Sequence, residues 1–279
     1  MTLLHAVTGA RPTGIIGEHN AMCGLRVLEC AAVEPHLATC PDCLAEISSV
    51  RRLIAAEAGR LGRGSEPGIL SGHLRGDLDR HGDMTVEEVG RATLVRGNAC
   101  LRGCLALREI GSGLIVTEAL NLQGCSGLSV VGATLQVGRK LDMRGCTALV
   151  RFSGDVSVGG DLDLRGCTAL RELPPSLHVV GNLLLAGCTS LSELPPGLSV
   201  GGALYLRDCI RLVKLPVGLD VGGDLDATGC QRLQALPYRL RVGGDVNLRG
   251  CRQVAKIPSD ARIGGRTLLA RRLERGRLS

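Results

Sequence analysis

Eight cysteines recur at a fixed step of 21 residues: Cys104, Cys125, Cys146, Cys167, Cys188, Cys209, Cys230 and Cys251. A step held that long is incompatible with an irregular globular core. It belongs to stacked coils, each of which sets the same side chain above its counterpart in the coil before. The residues between the cysteines keep the same beat. Cys167 to Gly187 reads CTALRELPPSLHVVGNLLLAG, and Cys188 to Asp208 reads CTSLSELPPGLSVGGALYLRD. The shared pattern is C-x-x-L-x-x-L-P-x-x-L-x-V-G-G-x-L-x-L-x-G.

Two stretches of each unit alternate with period two. The L-x-L pairs (Leu162/Leu164, Leu183/Leu185, Leu204/Leu206) predict a short strand with its leucines inward, and the L-x-V pairs (Leu177/Val179, Leu198/Val200, Leu219/Val221) a second extended segment. Pro174, Pro195, Pro216, Pro237 and Pro258 fix φ and forbid a helix on the return side. Gly-Gly pairs such as Gly201-Gly202 and Gly222-Gly223 turn the chain back into the strand. With no Trp, one Phe and two Tyr, the core must be aliphatic, which suits thin, similar layers. A single coil cannot bury enough to offset its own ordering, so stacking is obligatory.

The fold class expected is therefore a repeat solenoid of short parallel strands with non-helical, Pro-containing return segments. The pattern places about nine coils over residues 84–270. Met84–Gly103 is a degenerate first coil in which Val86, Val89 and Val95 hold apolar slots and Cys100 points outward. The last coil keeps Val254, Ile257 and Ile263, then dissolves into a leucine- and arginine-rich end, where a closing helix and a basic tail over 271–279 are expected. Residues 62–83, rich in glycine and holding His73 and His81, read as a linker with solvated histidines.

The run L-x-L-x-x-C-x-x-L-x-x-L-P resembles the leucine-rich repeat, with Cys where that family places Asn or Cys. The resemblance implies a solenoid that recognises protein partners on its strand face. The outward positions of the L-x-L strand then matter most. One column is rich in Asp and Asn, and another carries Arg102, Arg144, Arg165, Arg207 and Arg249. The polarity lapses at Leu184, Ala186, Ala203 and Tyr205. An apolar, aromatic-containing patch bordered by arginine has the character of a protein-binding hot spot. The candidate partner-binding set is Arg144, Asp163, Arg165, Leu184, Tyr205, Arg207 and Asp226. The ladder thiols read as buried packing groups that donate weak S–H bonds to loop carbonyls, since a column of parallel side chains does not converge on an ion.

Residues 1–61 read as a separate small α+β module ending in a helix over Leu44–Leu61. Cys40-Pro-Asp-Cys43 ahead of that helix is a C-x-x-C knuckle, which aims two thiolates at one ion. His5, Cys23, Cys40 and Cys43 give a Cys₃His set suited to tetrahedral zinc, with His19, Cys30 and His36 as alternative ligands. The pattern H…CG…TCxxCL resembles small zinc-binding modules of bacterial proteins. An all-cysteine set using Cys30 would instead suit an iron–sulfur cluster.

The formal charge of +6 owes much to the basic tail. The interleaved Asp column repels phosphate, so a protein rather than a nucleic acid is the expected partner. No apolar run is long enough for a membrane span, and the N-terminus lacks the pattern of an export signal, which with thirteen cysteines suggests a reducing cytoplasmic setting. No nucleophile–base constellation or phosphate loop is visible, so the reading is an interaction scaffold and not an enzyme. Its alternatives are a host-directed effector or ligase-like enzyme acting through the N-terminal module, and a nucleic-acid binder.

Overall fold

The computed structural model describes residues 68–269, which belong to one compact unit. They form a parallel β-solenoid of ten coils with no helix. Two sheets run its whole length. In one, ten L-x-V segments from His73–Arg75 to Arg262–Ile263 stack in parallel. In the other, ten L-x-L segments from Leu78–Asp79 to Thr267–Leu269 do the same. Registers step by one repeat, as in Leu141 against Leu162 and Leu162 against Leu183. The inward leucines, valines and cysteines form one continuous aliphatic core.

A third, five-stranded sheet joins the first five coils only, from Ile69–Leu70 to Arg151–Phe152. Its limit has a direct cause. In these coils the residue after the strand donates its N–H backwards: Gly111 to Val89 at 2.6 Å, Gly132 to Ile110 at 2.7 Å, Ser153 to Val131 at 2.8 Å. One repeat on, the donor's place is taken by Pro174, and then by Pro195, Pro216, Pro237 and Pro258. Proline has no N–H to give. Only the preceding rung survives, as in Val213 N to Ser192 O at 3.1 Å, with an isolated bridge between Glu193 and Lys214.

Two expectations change. The array does not begin at residue 84: Ile69–Leu70, His73–Arg75 and Leu78–Asp79, within the stretch expected as a linker, already form a coil. His73 and His81 are exposed there, as expected. At the other end Leu268 and Leu269, where a closing helix was expected to start, lie in a strand. The rest of the expected tail, and the whole 1–61 module, lie outside the described residues.

The cysteine column is buried throughout. Its acceptors are, as expected, carbonyls outside the strands. Each thiol reaches the carbonyl of the residue just past an L-x-L strand, 24 residues back: Cys125 Sγ to Leu101 O at 2.9 Å, Cys146 to Leu122 at 3.2 Å, Cys188 to Leu164 at 3.2 Å. The same carbonyl accepts the backbone N–H of its own coil's cysteine, as in Cys104 N to Leu101 O at 3.2 Å. Both lone pairs are thus used, one within the coil and one between coils. Burial pushes the Cys125 thiol up to about 11 and those of Cys104, Cys167 and Cys209 to about 12. The residue before each cysteine turns left-handed. It is glycine at Gly166 and Gly187, and Asp208 adopts the same conformation at φ 58.

Candidate interaction face

The outer surface of the L-x-L sheet consists of three rows running from coil to coil. The first is Asp77, Asn98, Ala119, Lys140, Asp161, Asn182, Ala203, Asp224 and Asp245. Its Asp and Asn side chains are structural. Asp161 Oδ1 accepts the Asn182 backbone N–H at 2.8 Å, Asn182 Oδ1 that of Ala203 at 2.8 Å, and Asp224 Oδ1 that of Asp245 at 2.7 Å. At this corner the backbone ladder is interrupted, and the side chains supply the missing acceptors.

The middle row sets Asp142, Asp163, Leu184, Tyr205, Asp226 and Asn247 in direct succession. Alternation points them away from the core, yet Asp142 and Asp163 are 5% and 1% exposed. Their cover is the third row. Arg165 folds back over its own strand to place Nε 2.9 Å and Nη2 2.7 Å from Asp163. Arg144 does the same to Asp142, at 2.9 Å and 2.8 Å, and reaches Asp163 at 3.6 Å. Lys140 adds a third cation 3.6 Å from Asp142. Burial pushes the Asp142 carboxyl up, but the hydrogen bonds from Arg144 outweigh it and hold it below the ordinary value.

This D-x-R hook fails in the next two coils. Leu184-x-Ala186 has neither partner, and Tyr205-x-Arg207 keeps the arginine without the acid. Arg207 therefore turns to the following coil, where it meets Asp226 at 3.4 Å. Asp226 also accepts from the backbone N–H and hydroxyl of Thr228. Leu184, Ala186 and Tyr205 are half-buried, and Ala203 is buried. The result is an apolar gap with Asp163–Arg165 at one end and Arg207–Asp226 at the other. Of the candidate partner-binding residues, Leu184, Tyr205, Arg165 and Arg207 are brought to this gap with part of their surface free. Asp163 is covered and serves to hold Arg165.

A second apolar ridge escaped the sequence reading. Pro175, Pro196, Val217 and Tyr238 follow the L-P step of four successive coils, and Val217 and Tyr238 are 65% and 70% exposed. The signal lay in a variable position of the repeat, filled by apolar residues four times running.

The proposed ligands His5, Cys23, Cys40 and Cys43, and the alternatives His19, Cys30 and His36, lie outside the described residues. Among the described residues no three His, Cys, Asp or Glu side chains are grouped to hold an ion, and no helix is long and apolar enough to cross a membrane. No protein-family model matches the chain, and neither does any curated protein.

Proposed function

We propose that the protein is a non-enzymatic interaction scaffold that engages a protein partner on the outer face of the L-x-L sheet, centred on Leu184 and Tyr205. The observation that carries this reading is the break in the D-x-R hook. A face covered by paired charges in the coils of Asp142 and Asp163 opens, over the next two coils, onto an aliphatic and an aromatic side chain beside an under-used arginine. Aromatic and arginine residues next to a partly desolvated centre are the composition of binding hot spots. The likeness of the repeat to leucine-rich repeats, which recognise partners on their strand face, supports the same reading. Zinc held by His5, Cys23, Cys40 and Cys43 is part of the proposal, as a structural support of the N-terminal module, and reduced thiols fit a cytoplasmic setting.

Affinity capture with mass spectrometry, wild type against Leu184→Asp/Tyr205→Glu, tests the face. A partner enriched by the wild type and lost by the variant supports the reading. Equal capture by both, with the variant folded, refutes it.

A further inference from the structure

Around the Leu184–Tyr205 gap, Asp163 and Asp226 balance Arg165 and Arg207 by formal charge. Exposure does not balance. The Arg165 and Arg207 side chains are 45% and 58% exposed, against 2% and 15% for Asp163 and Asp226. The carboxylates of the first row are also engaged, since Asp161 and Asp224 accept backbone N–H groups of the next coil. At this gap the two guanidinium groups are therefore far more exposed than the carboxylates they pair with, and Asp161 and Asp224 lie at its border.

The donors point the same way. A guanidinium has five N–H donors in a planar fork. Arg165 spends Nε and one Nη on Asp163, which leaves its other Nη edge outward. Arg207 spends one Nη on a contact of 3.4 Å. The cause is local: Tyr205 stands where Arg144 and Arg165 find their aspartates, so nothing on its own strand clamps Arg207.

The spacing completes the picture. Arg165, Ala186 and Arg207 hold the same position in three successive coils, so the two arginines are set about 10 Å apart at the backbone. Ala186 between them offers only a methyl group. A notch results, with Leu184 and Tyr205 on its floor and a guanidinium at either end.

We propose that this notch takes an acidic segment of the protein partner. An apolar side chain lies over Leu184 and Tyr205, and flanking Asp or Glu carboxylates bind Arg165 and Arg207 through charge-assisted hydrogen bonds. The assignment rests on the interaction-face reading above and adds the chemistry of the occupant. A phosphate backbone would also seek guanidinium groups. It is disfavoured because a single half-buried tyrosine offers no run of stacking surfaces for successive bases.

Fluorescence anisotropy with the full-length chain tests it. The probes are a labelled Gly/Ser-flanked peptide with a Glu-Leu-Asp core, the same peptide with both acids replaced by Lys, and a labelled oligothymidylate. The acidic peptide should bind about ten-fold more tightly than either other probe, and more weakly as salt rises. Arg207→Gln and Arg165→Gln should each weaken it about five-fold or more with an unchanged circular dichroism spectrum. Failure of the acidic peptide to bind, equal binding of the Lys peptide or the oligonucleotide, or indifference to Arg207→Gln would overturn the proposal. The two readings fail separately. A partner lost on Leu184→Asp/Tyr205→Glu but retained by Arg207→Gln would keep the interaction face and discard the acidic segment.

Discussion

Asp142 and Asp163 lie directly across from each other on adjacent parallel strands, both nearly sealed from solvent, with Arg144 within reach of both carboxylates. Two like charges so placed persist because Lys140, Arg144 and Arg165 cover them. Removing one acid leaves its arginine able to turn to water, which limits the damage. Asp142→Asn should cost about 1.5–3 kcal/mol at pH 7, the range of hydrogen bonds to charged groups. Because the folded-state value of Asp142 is lowered, its contribution is complete above the unfolded value of about 3.9 and is lost as pH falls through the lower folded one. Urea unfolding of both proteins at pH 7 and pH 3 should therefore show the gap narrowing in acid. A gap independent of pH would contradict the pairing.

The Asp and Asn row is expected to stabilise coil stacking. Asn182→Ala removes the acceptor for the Ala203 N–H and the donor to Asp161 Oδ1, at 2.8 Å and 2.9 Å. A loss of about 1–2 kcal/mol in denaturant unfolding is predicted. Ala119→Asn, which supplies an acceptor where the row has none, should be neutral or stabilising. The opposite order of the two would show that the row is incidental.

The five-stranded sheet should fail wherever its donor is removed. Ser153→Pro abolishes the 2.8 Å bond to Val131 O and should lower stability by about 1–3 kcal/mol. Pro195→Ala, where no such rung exists, should change it by less than about 1 kcal/mol. Equal effects at both sites would reject proline as the limit of the sheet.

Thiol accessibility separates the cysteines. Cys100 is half-buried, whereas the ladder from Cys104 to Cys251 is buried and most of its thiols are shifted away from the thiolate. Under native conditions at pH 8, mass-resolved alkylation should mark Cys100 and leave the ladder unmodified. Cys23, Cys40 and Cys43 should join only after chelation releases about one zinc per chain. Ladder labelling without unfolding would contradict the packing. Immediate labelling of Cys23, Cys40 and Cys43 would contradict the zinc site.

Much of the architecture was legible because alternation over L-x-V and L-x-L repeats in register, and the cysteine step fixes that register. The third sheet was not legible. Its strands, such as Val130-Val131 and Arg151-Phe152, are two residues long, and two residues carry no period. The first coil hid in glycine-rich sequence, where Leu74 and Leu78 stand among Gly, Arg and Asp. In the candidate site, alternation placed Asp142 and Asp163 outward. It could not show that an arginine two residues on folds back to cover them. The D-x-R spacing was visible in both coils, and its failure at Tyr205-x-Arg207 marks the gap more sharply than the apolar residues alone.

The proposed function places the partner on the face around Leu184 and Tyr205. Site-specific photo-crosslinking tests it most directly, with a benzophenone amino acid at Ala186, inside the notch, or at Ser157, exposed on the outer side of the L-x-V sheet. A discrete protein adduct is expected from position 186, absent in the Leu184→Asp/Tyr205→Glu background, and none from position 157. An adduct from position 157 with none from 186 would contradict it.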